Sequence, residues 1–331
     1  MKTPCDRTRR GMGRQALVAA LLLSSAGLAW AQHWPDKPIR FVVGGPAGGG
    51  VDLAARVLAE RLSAQFGQQV IVDNKPGAAG LIGAADLLKS PRDGSTFMVQ
   101  VNAIVSEIPH AVKMPFDPLK ALKPLAELSR LGLVFSTNSQ VPANTLSEFI
   151  TYAKANKGKV NFASYSAGTL SHTLGLALNK QAGLDMVHVA YKGSPPALQD
   201  LMGGQVQASF DVAGNVEPHV KAGRIKVLAT TAPQRLPMFP EVPTFAELGY
   251  KDLTEVIWIG LWTTPDLPAP IQQKMRDATL KALQDPKLRE AYAKMGWSIG
   301  GHATPDELMS SLRAASDKQG AVLQSIGFKP E

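Results

Sequence analysis

Two clusters of small and hydroxyl residues carry the clearest chemical signal in this 331-residue chain. The first is GGPAGGGVD at 44–52, five glycines within seven residues, set between the β-branched run RFVV and an amphipathic stretch, DLAARVLAERL. A strand, a glycine loop and a helix start together expose backbone N–H groups at a helix N-terminus, where an anion can bind without a cationic side chain. The loop has no G-x-x-x-x-G-K-[ST] and no G-x-G-x-x-G in register, so neither a P-loop lysine nor a dinucleotide fingerprint is present. Asp52 is the expected N-cap. The competing reading gives the glycines only a tight turn to make.

The second cluster is ASYSAGTLSHTLG, where Ser164, Ser166, Gly168, Thr169 and Ser171 crowd another strand-to-helix junction. Their hydroxyls and N–H groups can clamp an anion or a water, or simply cap the helix. His172 follows with no acid or nucleophile partner in view, which speaks against catalysis. GWSIG at 296–300 matches G-x-S-x-G, but a helical stretch precedes it and an extended one follows, and no acid-then-histidine order comes after Ser298. A nucleophile elbow needs strand, turn and helix. The histidines at 33, 110, 172, 188, 219 and 302 have no metal-ligand spacing, so no metal site is expected. His188 reads as a packed strand residue. Trp258 and Trp262, four apart on a strand-like run, share one face and read as core or hinge packing.

These junctions need a sheet to present them. IRFVVG, QVIVDN and STFMVQV read as strands and alternate with helical patterns at 52–67 and 80–90. That βαβαβ order implies a mainly parallel sheet flanked by helices, with ligands at the carboxyl ends of the strands. A second unit begins near LGLVFSTNS and repeats the alternation through KVNFAS, MVHVAYKG, QVQASFDVAG and RIKVLATT. Capping boxes at Thr145/Glu148, Thr244/Glu247 and Thr304/Glu307 mark expected helix starts. VIWIGLWTTP is one more strand before closing helices.

Residues 1–31 stand apart. A basic stretch with Lys2, Arg7, Arg9, Arg10 and Arg14 precedes the apolar run ALVAALLLSSAGLAWA, which ends on Ala29-Trp30-Ala31. This is the pattern of a secretory signal peptide, and cleavage after Ala31 is expected, by ordinary secretion rather than a twin-arginine route. The leader carries the single cysteine, Cys5, and five basic residues against one acid, so about half of the formal net charge of +8 leaves with it. No thiol chemistry and no basic block for nucleic acid would remain. At 45% hydrophobic and 19% charged residues the rest is globular in composition.

GGPAGGGVD, NKPGAAG, PRDGSTFMV, SAGTLSHTLG, VAYKGSPPALQDLMGGQVQASFD, KAGRIKVLATTAPQR, PEVPTFAELGY and TPDEL occur in this order. On these motifs the chain resembles the Bug family, the extracytoplasmic solute receptors of tripartite tricarboxylate transporters, from about Trp34 to Phe328. The resemblance implies an α/β, two-lobed periplasmic binding protein of the second type, with the ligand cleft between lobes. The first lobe would be 32–133 plus 257–331 and the second 134–256, joined through RLGLVF and VIWIGL. It implies no enzyme and no cofactor. It implies a monomer in the periplasm that binds one small carboxylate and serves a membrane transporter. The matching ligand-binding positions are Pro46, Gly48, Gly49 and Asp52 in the first loop and Ser166, Gly168, Ser171 and His172 in the second. Tyr191, Lys192 and Gly193 of YKG and Asp211 of SFD complete the set. The segment VNAIVSEIPHAV departs from the family pattern, so Asn102, Ser106 and Glu107 are expected to face the distal part of the solute. Two alternatives stay open: a secreted hydrolase using Ser298 or the Ser171/His172 pair, and a receptor that signals to a membrane sensor.

Overall fold

The computed structural model describes residues 34–330, so the leader reading lies outside the described residues. The strands, in chain order, are β1 (Ile39–Val43), β2 (Val70–Asn74), β3 (Thr96–Val101), β4 (Lys123–Asn138), β5 (Asn161–Ser164), β6 (Val187–Ala190), β7 (Ala208–Val212), β8 (Ile225–Thr230), β9 (Val256–Thr263) and β10 (Ser298–Ile299). The longer helices are α1 (Gly50–Phe66), α2 (Leu81–Lys89), α3 (Leu146–Ala155), α4 (Leu170–Ala182), α5 (Ser194–Met202), α6 (Ala213–Lys221), α7 (Ala269–Ala282), α8 (Pro286–Lys294) and α9 (Pro305–Ser325).

The fold is α/β and two-lobed, and its sheet is mixed. Parallel pairing holds for the outer strands, β2-β1-β3 on one side and β7-β5-β6 on the other. The strands between them pair antiparallel. β4 makes the difference. Its first ten residues pair with β9 and its last six with β7 and β8, so one strand runs through both lobes. β9 returns antiparallel from Val256, opposite Gly132, and slots between β3 and β4. The chain comes back just ahead of it, where the Glu255 N–H donates to the Thr231 carbonyl.

Four apolar clusters cover the sheet faces. On α1, Ala54, Ala55, Leu58, Ala59 and Leu62 recur at helical spacing and pack with Phe41, Phe97, Leu261, Met275 and Tyr292. Met98, Trp258, Trp262, Leu308 and Leu312 fill the opposite face, under α9. The two tryptophans stack as their spacing implies, with ring centres 5.2 Å apart. In the second lobe Phe135, Phe149, Phe162, Phe210 and Phe245 form an aromatic core. Among the described residues no helix is long and apolar enough to cross a membrane.

Two local expectations change. Asp52 is not the N-cap of α1; Gly49 is, and Asp52 sits in the first turn, reaching back to the loop. At Thr244/Glu247 the reciprocal capping bonds form, at 3.0 and 2.7 Å, yet no α-helix follows, only a short 3-10 turn at Lys251–Leu253. Gly249, in the left-handed region, stops the segment within a turn, too short for a helix to propagate.

Candidate functional site

The first loop is largely satisfied by itself. Gly44 lies so close to the Gln100 side chain and the Gly80 backbone that any Cβ would collide. Gly48 has φ +78°, where glycine alone is at ease. The Gly48 N–H donates to Asp52 Oδ2 at 2.8 Å and the Gly49 N–H to the Pro46 carbonyl at 3.1 Å. Asn74 Nδ2 ties Asp52 Oδ1 to the Gly45 carbonyl, and Arg56 Nε also donates to Asp52. Burial alone would raise the Asp52 pKa, but the hydrogen bonds from Arg56, Gly48 and Asn74 hold it below the usual carboxylate range. Asp52 is therefore a buried anchor, while Pro46 and Gly48 are exposed and Gly49 is half-buried. The first-turn N–H groups of Gly50 and Val51 have no acceptor among the described residues, so they remain donors for a ligand.

In the second loop most hydroxyls are spent internally. Ser164 Oγ pairs with His188 Nε2 at 2.7 Å, Thr169 Oγ1 donates to the Ser166 carbonyl at 2.7 Å, and Ser171 Oγ donates to the Phe210 carbonyl at 2.5 Å. Ser166 is exposed and makes only a 3.4 Å contact with the neighbouring carbonyl, so its hydroxyl can turn to a ligand. His172 Nδ1 accepts the Gly168 N–H at 3.2 Å, and its ring stacks on His188 with centres 3.6 Å apart. Burial pushes both imidazoles down to about 4, so they are neutral near neutrality. His172 thus holds the loop's shape.

The lobes meet at this second loop. Glu107, 4% exposed, reaches from the end of β3 and its Oε2 accepts the Leu170 N–H, the first of α4, at 2.7 Å. Burial, set against the Leu170 bond and reinforced by Glu255, raises its pKa to about 7. From α9, Gln319 donates to the Gly168 carbonyl at 2.7 Å and accepts from Thr173 Oγ1 at 2.8 Å. Asn102 is bound through backbone and side chain to Trp258, and Ser106 Oγ donates to the Asn102 carbonyl, so both residues brace this segment.

A third group closes the arrangement. Asp211 is buried and accepts from Ser194 Oγ, the Val212 N–H and Asn215 Nδ2, and burial raises its pKa. Gly193, at φ +108°, donates its N–H to the Tyr165 carbonyl. Tyr191 donates to Asp200 and faces away from this network, and Lys192 is exposed. Tyr165, missed in the sequence, lies within the influence of both Glu107 and Asp211, and burial pushes its phenol well up, so it is a neutral donor. It lies inside ASYSAGTLSHTLG between Ser164 and Ser166, and as the one aromatic residue among small ones it is the available signal. Val212, with Val51 and Trp297, packs against the first lobe's core, which brings the end of β7 to the α1 side of the cleft.

The arrangement offers neutral donors, and the hydrogen-bonded serine–histidine pair of this loop, Ser164–His188, has its hydroxyl buried and within 3.0 Å of the Ser166 carbonyl, so it presents no free nucleophile. The Ser171 hydroxyl goes to a carbonyl and not to His172, so that pair is no dyad. Ser298 lies on the two-residue β10, paired to β4. Among the described residues no three His, Cys, Asp or Glu side chains are grouped to hold a metal ion.

The sequence pattern of the tripartite tricarboxylate transporter family receptors matches residues 54–328. The chain belongs to this receptor family. A curated relative, a UPF0065 protein of Bordetella bronchiseptica, is 32% identical over 328 residues, covering 98% of this chain and 97% of its own. Three solved structures are also similar. Rpa4515 of R. palustris with adipate shares 26% identity at a TM-score of 0.78, covering 90% of this chain and 100% of its own. MatC (Rpa3494) of Rhodopseudomonas palustris with bound malate shares 28% at 0.71, over 88% and 100%. The periplasmic binding protein BugD shares 28% at 0.73, over 90% and 100%. As a receptor of this family, the protein is a solute-binding protein and not an enzyme.

Proposed function

We propose that this receptor captures a small carboxylate-bearing solute in the periplasm and delivers it to the membrane subunits of a tripartite tricarboxylate-type transporter, acting as a monomer. The solute's carboxylate bridges the α1 first turn beside Gly49 and the loop from Ser166 to Thr169. The lobes in this reading are 32–133 plus 257–331, and 134–256. The observation that carries it is the set of donors left open at the two helix starts: the Gly50 and Val51 N–H groups, without an acceptor among the described residues, and the exposed Ser166 hydroxyl. Two structural relatives with adipate and malate bound point to the same solute class.

Use of backbone donors suits a receptor that must let go. A buried arginine–carboxylate pair has a high desolvation cost, whereas a helix N-terminus contributes about 0.3–1 kcal/mol, more when partly buried. Several such donors and bridging waters reach micromolar affinity, about −8 kcal/mol. Contacts that form only when the lobes meet shift the hinge toward the closed form.

Calorimetric titration of the purified protein with adipate, malate and other small carboxylates tests the reading. Saturable binding of at least one is expected, weakened about tenfold or more by Gly49→Val, whose Cβ intrudes on the loop. A well-folded protein that binds no carboxylate would overturn it. Co-purification with transporter membrane subunits tests the delivery step.

A further inference from the structure

Behind Glu107, under α9, lies a cavity of about 260 Å³. Both lobes wall it: Asn102 and Ser106 on one side, Leu170 and Thr173 of α4 on the other, with Trp258 of β9 between. Its charges are unevenly answered. Glu127 is paired to Arg130, Lys318 donates to Glu255 and to the Asp252 carbonyl, and Glu307 is held in the α9 cap by Thr304. Glu107 has no cation. Its Oε2 takes the Leu170 N–H, and its Oε1 has no donor among the described residues although the residue is 4% exposed. Glu255 lies close enough for its charge to act on Glu107, so two carboxylates border the same space.

An anion entering here would meet five lining acids against two bases, both already engaged. A cation would meet the open oxygen of Glu107 and the aromatic wall of Trp258, with Glu255, held by Lys318, adding negative charge nearby. Apolar side chains such as Leu174 and Val322 line the remainder, and no metal-ligating group of three is present among the described residues. Those walls suit an organic ion with a short alkyl body.

We propose that this cavity is a second binding site, separate from the carboxylate cleft, for a small organic cation bearing a primary ammonium group seated between Glu107 and Trp258. Because α4 and β9 both line it, an occupant favours the lobe arrangement in which Glu107 meets Leu170, and so couples to closure of the cleft. The site does not require that the cleft take a carboxylate.

The test is calorimetry on the purified protein with 1,4-diaminobutane, beside its uncharged counterpart 1,4-butanediol. One-to-one saturable binding of the diamine and none of the diol are expected. Glu107→Gln removes the charge and should weaken the diamine about tenfold or more. Ser311→Phe, on the exposed side of α9, should block the cavity to the same extent, with Ala315→Phe replacing it if circular dichroism shows that variant misfolded. Absence of diamine binding, equal binding of the diol, or undiminished affinity in either folded variant would overturn the proposal.

Discussion

The two loops that face the cleft look alike in sequence and are built on opposite plans. The first, at 44–52, is closed on itself: Gly48, Gly49, Asp52 and Asn74 satisfy one another within one lobe. The second, at 164–172, is finished by the other lobe, through Glu107 on the Leu170 N–H and Gln319 on the Gly168 carbonyl. The first loop is thus preformed whatever the hinge does. The second is complete only where the two lobes touch. Under the proposed function the first loop would recognise the solute and the second would register that recognition.

Substitutions can break or sharpen this contrast. The largest effect is expected at Gly168→Val. Gly168 has φ +74°, and a Cβ there would approach Ala111 Cβ to 2.6 Å. Left-handed strain and overpacking together should cost about 2–4 kcal/mol in urea denaturation. Asp52→Ala comes next. It strands the Gly48 N–H and Asn74, costing about 1–3 kcal/mol without solute, and more with solute bound, because the same loop holds the solute.

Glu107→Gln should act in the opposite direction. The carboxyl has a pKa of about 7 folded against 4.5 for the free side chain. Its contribution to stability is full below the unfolded value and is lost as pH rises through the folded one. The variant should therefore gain stability on the order of 1–2 kcal/mol at about pH 8 and little at about pH 4. His172 and His188 set the acid limb. At about 4 folded against 6.5 free, they leave the unfolded chain binding more protons, so stability should fall as pH drops from about 6.5 toward 4. His188→Gln should flatten that limb in a thermal melt series. The smallest stability change is expected for Gly49→Val. Its φ of −75° suits any residue, and the Pro46 carbonyl 3.1 Å from the new Cβ must give by only a few tenths of an ångström. About 1 kcal/mol is the expected loss. A loss as large as that of Gly168→Val would erase the distinction between the loops.

The sequence pattern reaches the fold well where burial alternates. α1, with its apolar face and left-handed Gly67 stop, and the strands β1, β2 and β3 all stand where periodicity places them. β4 is legible only in its second half. Buried at nearly every position because helices cover both of its faces, it shows no alternation to read. The site is legible where its chemistry is local, as in the glycine loop and the Thr304/Glu307 cap. Asp52 misleads because Asp serves equally as an N-cap or as a first-turn group reaching back. Glu107 on Leu170 and Gln319 on Gly168 span 63 and 151 residues, and no local pattern encodes such a partner.

The position of β9 also governs when this protein can fold. It fills the slot between β3 and β4, yet it follows the whole second lobe in the chain. As the chain emerges N-terminus first, the first lobe's sheet has a gap at its centre until β9 arrives, while the second lobe already has all of its own strands. Such non-local pairing slows folding. The second lobe should therefore mature first, and the first lobe close around a strand delivered last, keeping the early chain open until its tail has emerged.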